Sequence, residues 1–431
     1  MKNNVIKIES HLPQLKLAML HMPAKTKVGN TPILFIHGAS FPSALSFGFQ
    51  MSGCSWMDHL SDHNYESYAL DFLGYGDADR YPEMSHDKGL PTGRSTSVYL
   101  DINKAIDYIL QQAQQRQVIL IAHSWGASVA ALYAEKFPEK IEKLVLFAPI
   151  TPSDDKATPI IPDRPYDSLT PDQRVQAMVD LTPANESNQL EPELFHQWKE
   201  DWLQSDITTE KINGNVIHFP SGPLHDIADL RLGKSFFNAA NIHVPTLIIR
   251  GEWDAWPNNN DALQLLHSLP GNISKQYIVI PKGTHVMHLE KCRHQLYTST
   301  LQFIAATPPA ANNTSIAVIF EVIPNEGKKQ AYLNIAADLK PTLTQMDGFI
   351  SIERFQSLSH PEKILSLSFW RDEESILAWR NLELHRHAQS QGRNGIFKDY
   401  HLRIAHVVRD YGMFERQEVP ADSRSYHAHA H

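Results

Sequence analysis

The sequence has only two cysteines in 431 residues, Cys54 and Cys292, and they lie far apart. So few thiols cannot form a disulfide framework, and they do not form a cysteine-rich metal cluster. No uninterrupted apolar run approaches the roughly 18 residues that a transmembrane helix needs. The polar amino terminus, MKNNVIKIES, also lacks the apolar core of a signal peptide. We therefore expect a cytoplasmic protein with no membrane partner and no bound metal.

An excess of positive charge is missing as well. Lysine and arginine number 39 against 48 acidic residues, which gives a net charge of -9. This balance disfavours nucleic acid as a partner and leaves a small molecule as the expected substrate. The hydrophobic content of 42% is enough to fill a sizeable core. A chain of this length is expected to form two domains.

The clearest domain boundary is the stretch AATPPAANNTS at residues 305–315. Its paired prolines and small polar residues cannot continue a helix and bury little surface. We predict a first domain over residues 1–305, a linker over 306–314, a second domain over 315–420 and a tail over 421–431.

Short apolar runs alternate with helical stretches in the first domain. Several runs are apolar throughout, as expected for strands that helices cover on both faces. Helical spacing at 99–116 and 125–137 separates them, which predicts a mostly parallel, doubly wound sheet. Residues 152–234 are rich in Pro, Asp, Glu and Gln and predict a mainly helical insertion. The predicted strands are 33–36, 67–71, 118–121, 144–147, 246–249 and 276–280.

The second domain reads strand-helix-strand-strand-helix-strand, which predicts a ferredoxin-like α+β fold. Its two helices cover one face of the sheet, and a second copy of the chain is the usual cover for the other face. The predicted strands are 316–323, 349–355, 363–370 and 400–409, and the predicted helices are 328–343 and 372–391.

The sharpest chemical signal is Ser124 in the segment Ala-His-Ser-Trp-Gly at residues 122–126. An apolar strand precedes this segment and a helix rich in small residues follows it. Such a tight turn pushes the serine hydroxyl off the end of the strand, and the helix start offers N–H groups to a developing oxyanion. We therefore expect Ser124 to be a nucleophile.

Two later segments supply the partners that a nucleophilic serine needs. Asp254 follows the strand at 246–249 and His285 follows the strand at 276–280, so the chain order is Ser, Asp, His. Taken alone, Asp254 is equally a helix cap and His285 equally a loop histidine. His288 is the alternative base.

Residues 1–305 resemble the α/β-hydrolase superfamily. The resemblance rests on His37-Gly38, on DFLGYG at 71–76, on the serine turn, on GEWD at 251–254 and on GTHVMHLE at 283–290. It implies a helical cap at about 152–234 and an oxyanion hole formed by the N–H groups of Ala39 and Trp125. It also favours His285 over His288 as the base.

Further residues beside these motifs are candidates for the substrate pocket. His123 lies inside the serine turn, and Trp253 lies next to Asp254. His288 joins them if it is not the base. For His123 a structural role is the simpler interpretation, and tryptophans in such positions are more often part of the core.

Residues 315–420 resemble the antibiotic biosynthesis monooxygenase family. The resemblance rests on the motifs SFWRDEE at 368–374 and AWR at 378–380, and on the spacing from His385 to Arg393. The resemblance implies a dimeric α/β barrel, and Trp379, His385 and Arg393 become pocket candidates. Trp379 is equally ordinary core. Some family members oxidise aromatic compounds without a prosthetic group; others degrade haem, but one histidine alone does not specify an iron site.

Three hypotheses follow. The first is a cofactor-free serine hydrolase for an ester or related acyl bond of a small apolar or aromatic molecule, made a homodimer by its second domain. In the second, the second domain is an oxygenase for an aromatic or quinol substrate. In the third, that domain serves only for dimerisation.

Overall fold

The computed structural model describes residues 4–153, 159–205, 215–306, 315–413, 419–420 and 423. The chain forms two compact units, Met1–Thr307 and Pro308–His431. Most of the predicted linker and tail, at 307–314, 421–422 and 424–431, lies outside the described residues, and so do residues 414–418 of the predicted second domain.

An eight-stranded sheet forms the centre of the first unit. Its order is β1-β2-β4-β3-β5-β6-β9-β10; β1, β2 and β4 pair antiparallel, and the pairs from β4 onward are parallel. The two strands nearest the start of the chain were not predicted; β1 lies at the sheet edge and most of its side chains are exposed. The strands are β1 (Asn4–Glu9), β2 (Lys16–Met22), β3 (Ile33–Ile36), β4 (Ser67–Asp71), β5 (Val118–His123), β6 (Ile141–Phe147), β9 (Thr246–Gly251) and β10 (Lys275–Ile280).

Helices cover both faces of this sheet, as its uniformly apolar strands require. In one of them Val98, Ile102, Ala105 and Ile109 repeat at helical spacing and are all buried. The helices around the sheet are α1 (Ser43–Ser46), α2 (Trp56–Asp62), α3 (Ser95–Ala113), α4 (Trp125–Lys136), α8 (Asn259–Ser268) and α9 (Arg293–Ala305). The predicted α/β-hydrolase fold is thus present.

The insertion predicted as mainly helical contains strands as well. It holds α5 (Pro171–Val179), α6 (Pro192–Ser205), α7 (Gly222–Arg231) and the antiparallel strands β7 (Tyr166–Leu169) and β8 (Ile217–Pro220). The two strands are far apart in sequence and only four residues long, so no local pattern marks them. Trp198 of α6 is fully buried, and its indole N–H donates to the carbonyl of Leu45, 2.9 Å away.

A buried lysine of the sheet holds the last helix of the first unit. Lys143 of β6 is 3% exposed, and its Nζ donates to the carbonyl oxygens of Ile304 and Ala306, each 2.5 Å away. These carbonyls belong to the end of α9, where backbone acceptors have no partner inside the helix. The ammonium therefore acts as a C-cap, and burial lowers its pKa.

The second unit is a four-stranded antiparallel sheet in the order β12-β13-β11-β14. In β13 the side chains of Ile364, Ser366, Ser368 and Trp370 are buried, and those between them are half-buried. This alternation is that of a strand with one face in the core, and the ferredoxin-like prediction is confirmed. The elements are β11 (Ile316–Pro324), α10 (Lys329–Leu343), β12 (Phe349–Gln356), β13 (Ile364–Trp370), α11 (Glu373–Asn381), α12 (Glu383–Gln391) and β14 (Phe397–His406).

The helix predicted over 372–391 is two helices. Leu382 between them has φ -63° and ψ 131°, an extended conformation that ends α11 and lets α12 begin in a new direction. Leucine itself favours helix, so its sequence gives no sign of the break. Among the described residues of both units, no helix is long and apolar enough to cross a membrane.

Candidate active site

Ser124 lies at the turn between β5 and α4 in a strained conformation. Its φ of 58° and ψ of -130° are costly for a residue with a side chain, and such strain is concentrated at functional sites. Gly126 makes the turn possible, because a Cβ at this position would lie 2.1 Å from the carbonyl oxygen of His37. The start of α4 therefore packs directly on the end of β3.

The three residues predicted as a triad lie in one hydrogen-bonded row. Ser124 Oγ is 2.8 Å from His285 Nε2, and His285 Nδ1 is 3.0 Å from Asp254 Oδ2. The Asp254 side chain is 2% exposed and that of His285 is 17% exposed. The imidazole thus bridges the buried carboxylate of Asp254 and the hydroxyl of Ser124.

Close backbone contacts hold the two loops that carry the partners. A Cβ on Gly251 would lie 2.1 Å from the carbonyl oxygen of Gly283, so the two loops touch where no side chain fits. Below His285, buried Glu290 accepts hydrogen bonds from the backbone N–H and the hydroxyl of Thr284. Burial raises the pKa of Glu290, although these hydrogen bonds favour its charged form.

The predicted oxyanion loop faces the serine. A Cβ on Gly38 would lie 3.1 Å from Ser124 Cβ, which places this backbone against the nucleophile. Within the described residues, the backbone N–H groups of Ala39 and Trp125 donate to no protein acceptor. They are thus free for an oxyanion. His37 fixes the loop, since its Nδ1 lies 2.7 Å from the carbonyl oxygen of Gly38, and burial lowers its pKa to about 4.

Two further histidines are fully buried beside the triad. His123 Nε2 donates to the carbonyl of His285 at 2.8 Å, and its ring stacks on Phe147. His288 Nε2 is 3.1 Å from Ser46 Oγ, so the structure places it away from Asp254 and outside the hydrogen-bonded row. Burial lowers the pKa of His288 to about 3 and that of His123 well below its usual value. Both rings are therefore neutral near pH 7.

The other predicted neighbour of the triad, Trp253, is half-buried, and its backbone N–H donates to the carbonyl of Gly283 at 2.8 Å. Sequence reasoning missed two residues that reach the site from the cap. Asp226 of α7 accepts a hydrogen bond from the indole of Trp125 at 2.9 Å. Arg174 of α5 lies over the ring of Phe41, which follows the oxyanion loop. Neither belongs to a motif, so no sequence signal marks it.

The second unit brings its three predicted pocket residues together. Trp379, His385 and Arg393 line a cavity of about 360 Å³ between sheet and helices. The rings of Trp379 and His385 stack with centroids 4.5 Å apart, and His385 Nδ1 donates to the Trp379 carbonyl at 3.0 Å. Trp379 also packs in an apolar core cluster of the unit. Burial lowers the pKa of His385.

The cavity is mainly apolar, and its charged side chains have one sign. Arg354 and Arg380 line it together with Arg393, and among the described residues no aspartate or glutamate does. Such a wall suits a ligand with an apolar body and an anionic group. Groups of three or more potential metal ligands are absent from the described part of the chain.

Comparison with known families agrees with this geometry. The sequence pattern of the alpha/beta hydrolase fold matches residues 31–291, which is more than half of the chain. The protein is an α/β-hydrolase. This hydrolase carries a second family pattern, antibiotic biosynthesis monooxygenase, at residues 315–391.

Individual relatives match one unit or the other. The jasmonate monooxygenase of Pyricularia oryzae is 52% identical over 92 residues, which cover 21% of this hydrolase and 43% of the relative. The match thus spans less than half of the relative's length. A thioesterase domain from the curacin biosynthetic pathway is 16% identical with a TM-score of 0.49, covering 70% of this chain and 100% of that domain. An esterase from Thermogutta terrifontis is 14% identical with a TM-score of 0.48, covering 70% and 98%.

Proposed function

We propose that the protein is a serine hydrolase of an ester or related acyl bond of a small apolar or aromatic molecule. The observation that carries the proposal is the row from Ser124 through His285 to Asp254. His285 Nε2 takes the hydroxyl proton while Ser124 Oγ attacks the acyl carbon. Asp254 holds the imidazole in the required tautomer and stabilises its cation.

The remaining steps use the same groups. The oxyanion of the tetrahedral intermediate accepts hydrogen bonds from the N–H groups of Ala39 and Trp125. His285 then gives its proton to the leaving group as the acyl-enzyme forms. A water molecule, deprotonated by His285, attacks the acyl carbon and releases the acid and the free Ser124 hydroxyl.

Labelling with a fluorophosphonate and three substitutions test this proposal. The probe should label the parent protein, and Ser124→Ala should abolish both labelling and turnover of a p-nitrophenyl ester, a loss of about 10⁶-fold in kcat. His285→Ala should be nearly as inactive, while His288→Ala keeps measurable turnover. Full activity of Ser124→Ala would refute the proposal, and the reverse order of the histidine variants would exchange their roles.

A second activity is proposed for the cavity of the second unit: the 52% identity to a jasmonate monooxygenase supports a reaction with O₂, and the apolar, partly aromatic lining of the cavity supports an aromatic substrate. We infer that it oxidises a phenol with O₂ without a bound cofactor. One oxygen atom enters the ring to give a quinone and the other leaves as water, so the substrate supplies all four electrons. His385 accepts the phenolic proton, because its Nδ1–H is already donated to Trp379.

Oxygen uptake measures this second activity. Uptake with simple phenols and quinols should fall at least tenfold in His385→Gln, while the neighbouring exposed His387→Gln serves as control.

Jasmonate, which the relative's name specifies, is the first anionic ligand to titrate, and Arg393→Gln should weaken its binding. If neither uptake nor binding is found, the domain is left with dimerisation as its role.

A further inference from the structure

Arg174, on the inner side of the cap, is a cation that finds no counter-ion in the described part of the chain. It lies in α5, its guanidinium carbon is 5.5 Å from the centre of the Phe41 ring, and its Nε is buried with no hydrogen-bond partner. Burial lowers its pKa to about 10. Among the described residues, none forms an ion pair with it.

Other arginines packed against the cap do have such partners. Arg94 binds Asp226 and Asp229 at 2.5 and 2.7 Å, and Arg293 binds Glu191 at 2.7 Å. Arg174 is half-buried, and charges removed from water in this way are normally paired. The described residues give Arg174 no anionic partner, so a bound anion would complete the ion pair.

A series of ring contacts connects Arg174 with the residue that precedes Ser124. The Phe41 ring stacks near His288 at 6.3 Å between centroids, and His288 is 4.6 Å from the ring of His123, which precedes Ser124 in sequence. The positive charge of Arg174 contributes to the low pKa of both histidines. These contacts connect the guanidinium, through three aromatic rings, with the residue before the candidate nucleophile.

We propose that Arg174 binds a carboxylate of the substrate, so that the hydrolase prefers acyl compounds with a second, anionic group. This inference rests on the proposed hydrolase function and adds a substrate class to it. A guanidinium donates two parallel hydrogen bonds to a carboxylate, which fixes both the position and the direction of the bound molecule.

A matched pair of esters tests the proposal in the full-length protein. The p-nitrophenyl monoesters of glutarate and adipate carry a free carboxylate, and p-nitrophenyl pentanoate and heptanoate are neutral controls of similar length. We expect Arg174→Gln to lower kcat/KM for the anionic esters by about 10- to 100-fold, mainly through KM. The neutral esters should change less than threefold, and Arg174→Lys should recover part of the loss.

Arg164→Gln is the control for a simple loss of cap charge. Arg164 is 41% exposed and pairs with Asp167, so its removal should affect both ester classes equally and weakly. An equal loss for both classes in Arg174→Gln, or a parent protein that does not prefer the anionic esters, would overturn the proposal.

A binding experiment separates failure of this proposal from failure of the hydrolase function. Fluorophosphonate labelling of Ser124 should be unchanged in Arg174→Gln, because the probe carries no carboxylate. Monomethyl glutarate should bind Ser124→Ala in calorimetry and should not bind the Ser124→Ala, Arg174→Gln double variant. If monomethyl glutarate binds but Ser124 of the parent is not labelled, the anion site is upheld and the hydrolase mechanism is refuted. If Ser124 is labelled normally but monomethyl glutarate does not bind, the anion site is refuted and the hydrolase mechanism stands.

Discussion

The histidines near Ser124 differ in exposure, and this difference has a measurable effect on stability. His288 is fully buried with its pKa lowered to about 3, whereas an unfolded chain binds the same proton near pH 6.5. Below pH 6.5 His288 therefore binds a proton in the unfolded state but stays neutral in the folded state. The contribution of the neutral, buried His288 to the free energy of unfolding is complete above pH 6.5 and is lost progressively as the pH falls towards 3.

We predict that His288→Gln weakens the pH dependence of unfolding. Between pH 7 and pH 5, the fall in the free energy of unfolding should be smaller by about 2 kcal/mol than in the parent protein. Urea unfolding at the two pH values measures it. His196→Gln, in a side chain 78% exposed, should leave the pH dependence unchanged. A parent-like dependence in His288→Gln would contradict the buried neutral state.

At this scale, the residues that could be predicted from sequence are those in local motifs. Ser124, Asp254 and His285 each follow a strand, and the strand ends bring them together. Arg174 could not be predicted, because what distinguishes it is the carboxylate that it lacks in three dimensions. His288 is similar, since only the packing of the Phe41 and Phe147 rings around it shows that it is neutral.

Among the elements, the contact between α4 and the end of β3 controls the serine turn. We predict that Gly126→Ala lowers the free energy of unfolding by about 1–3 kcal/mol, because its Cβ would meet the His37 carbonyl at 2.1 Å. Ester turnover should fall about 100-fold as the N–H of Trp125 shifts.

Gly271→Ala is the matched control for this substitution. No atom lies within 4 Å of a Cβ at that position, so both the melting temperature and the turnover should stay close to those of the parent. A harmless Gly126→Ala would show that α4 can move away from β3 without cost.

Elements were predicted well where many residues share one pattern. The uniformly apolar strands at the sheet centre were found with bounds within a few residues, since burial on both faces leaves no polar positions. The pair β7 and β8 was missed because its partners are about fifty residues apart and gain their strand form from each other. The break at Leu382 was missed because it follows from packing and not from a helix-breaking residue.

On the scale of the whole molecule, the sheet of the second unit has a second apolar face. Ile319, Leu365, Leu367 and Phe369 alternate with the cavity-lining residues and belong to neither apolar cluster of this unit. We propose that a second copy of the chain covers this face. Apolar surface of this kind is otherwise unfavourable in water.

We predict that Leu367→Lys converts a dimer into a monomer, because it places a charge in the centre of that face. Light scattering after gel filtration measures the change, and hydrolysis of p-nitrophenyl esters should continue in the monomer. Leu358→Lys replaces a leucine that is fully exposed and should remain dimeric. A parent protein that is already monomeric would disprove the dimer.

The ammonium of Lys143 makes the end of α9 a suitable junction between the two parts of the chain. It closes the last turn of α9 from inside the first unit, so the hydrolase ends at a completed helix terminus before the second family pattern begins. A change of sequence after residue 306 leaves the two hydrogen bonds from Lys143 to the end of α9 in place. The junction is therefore a natural place for recombination, and exchanging the downstream domain for another there should yield chimeras that still fold.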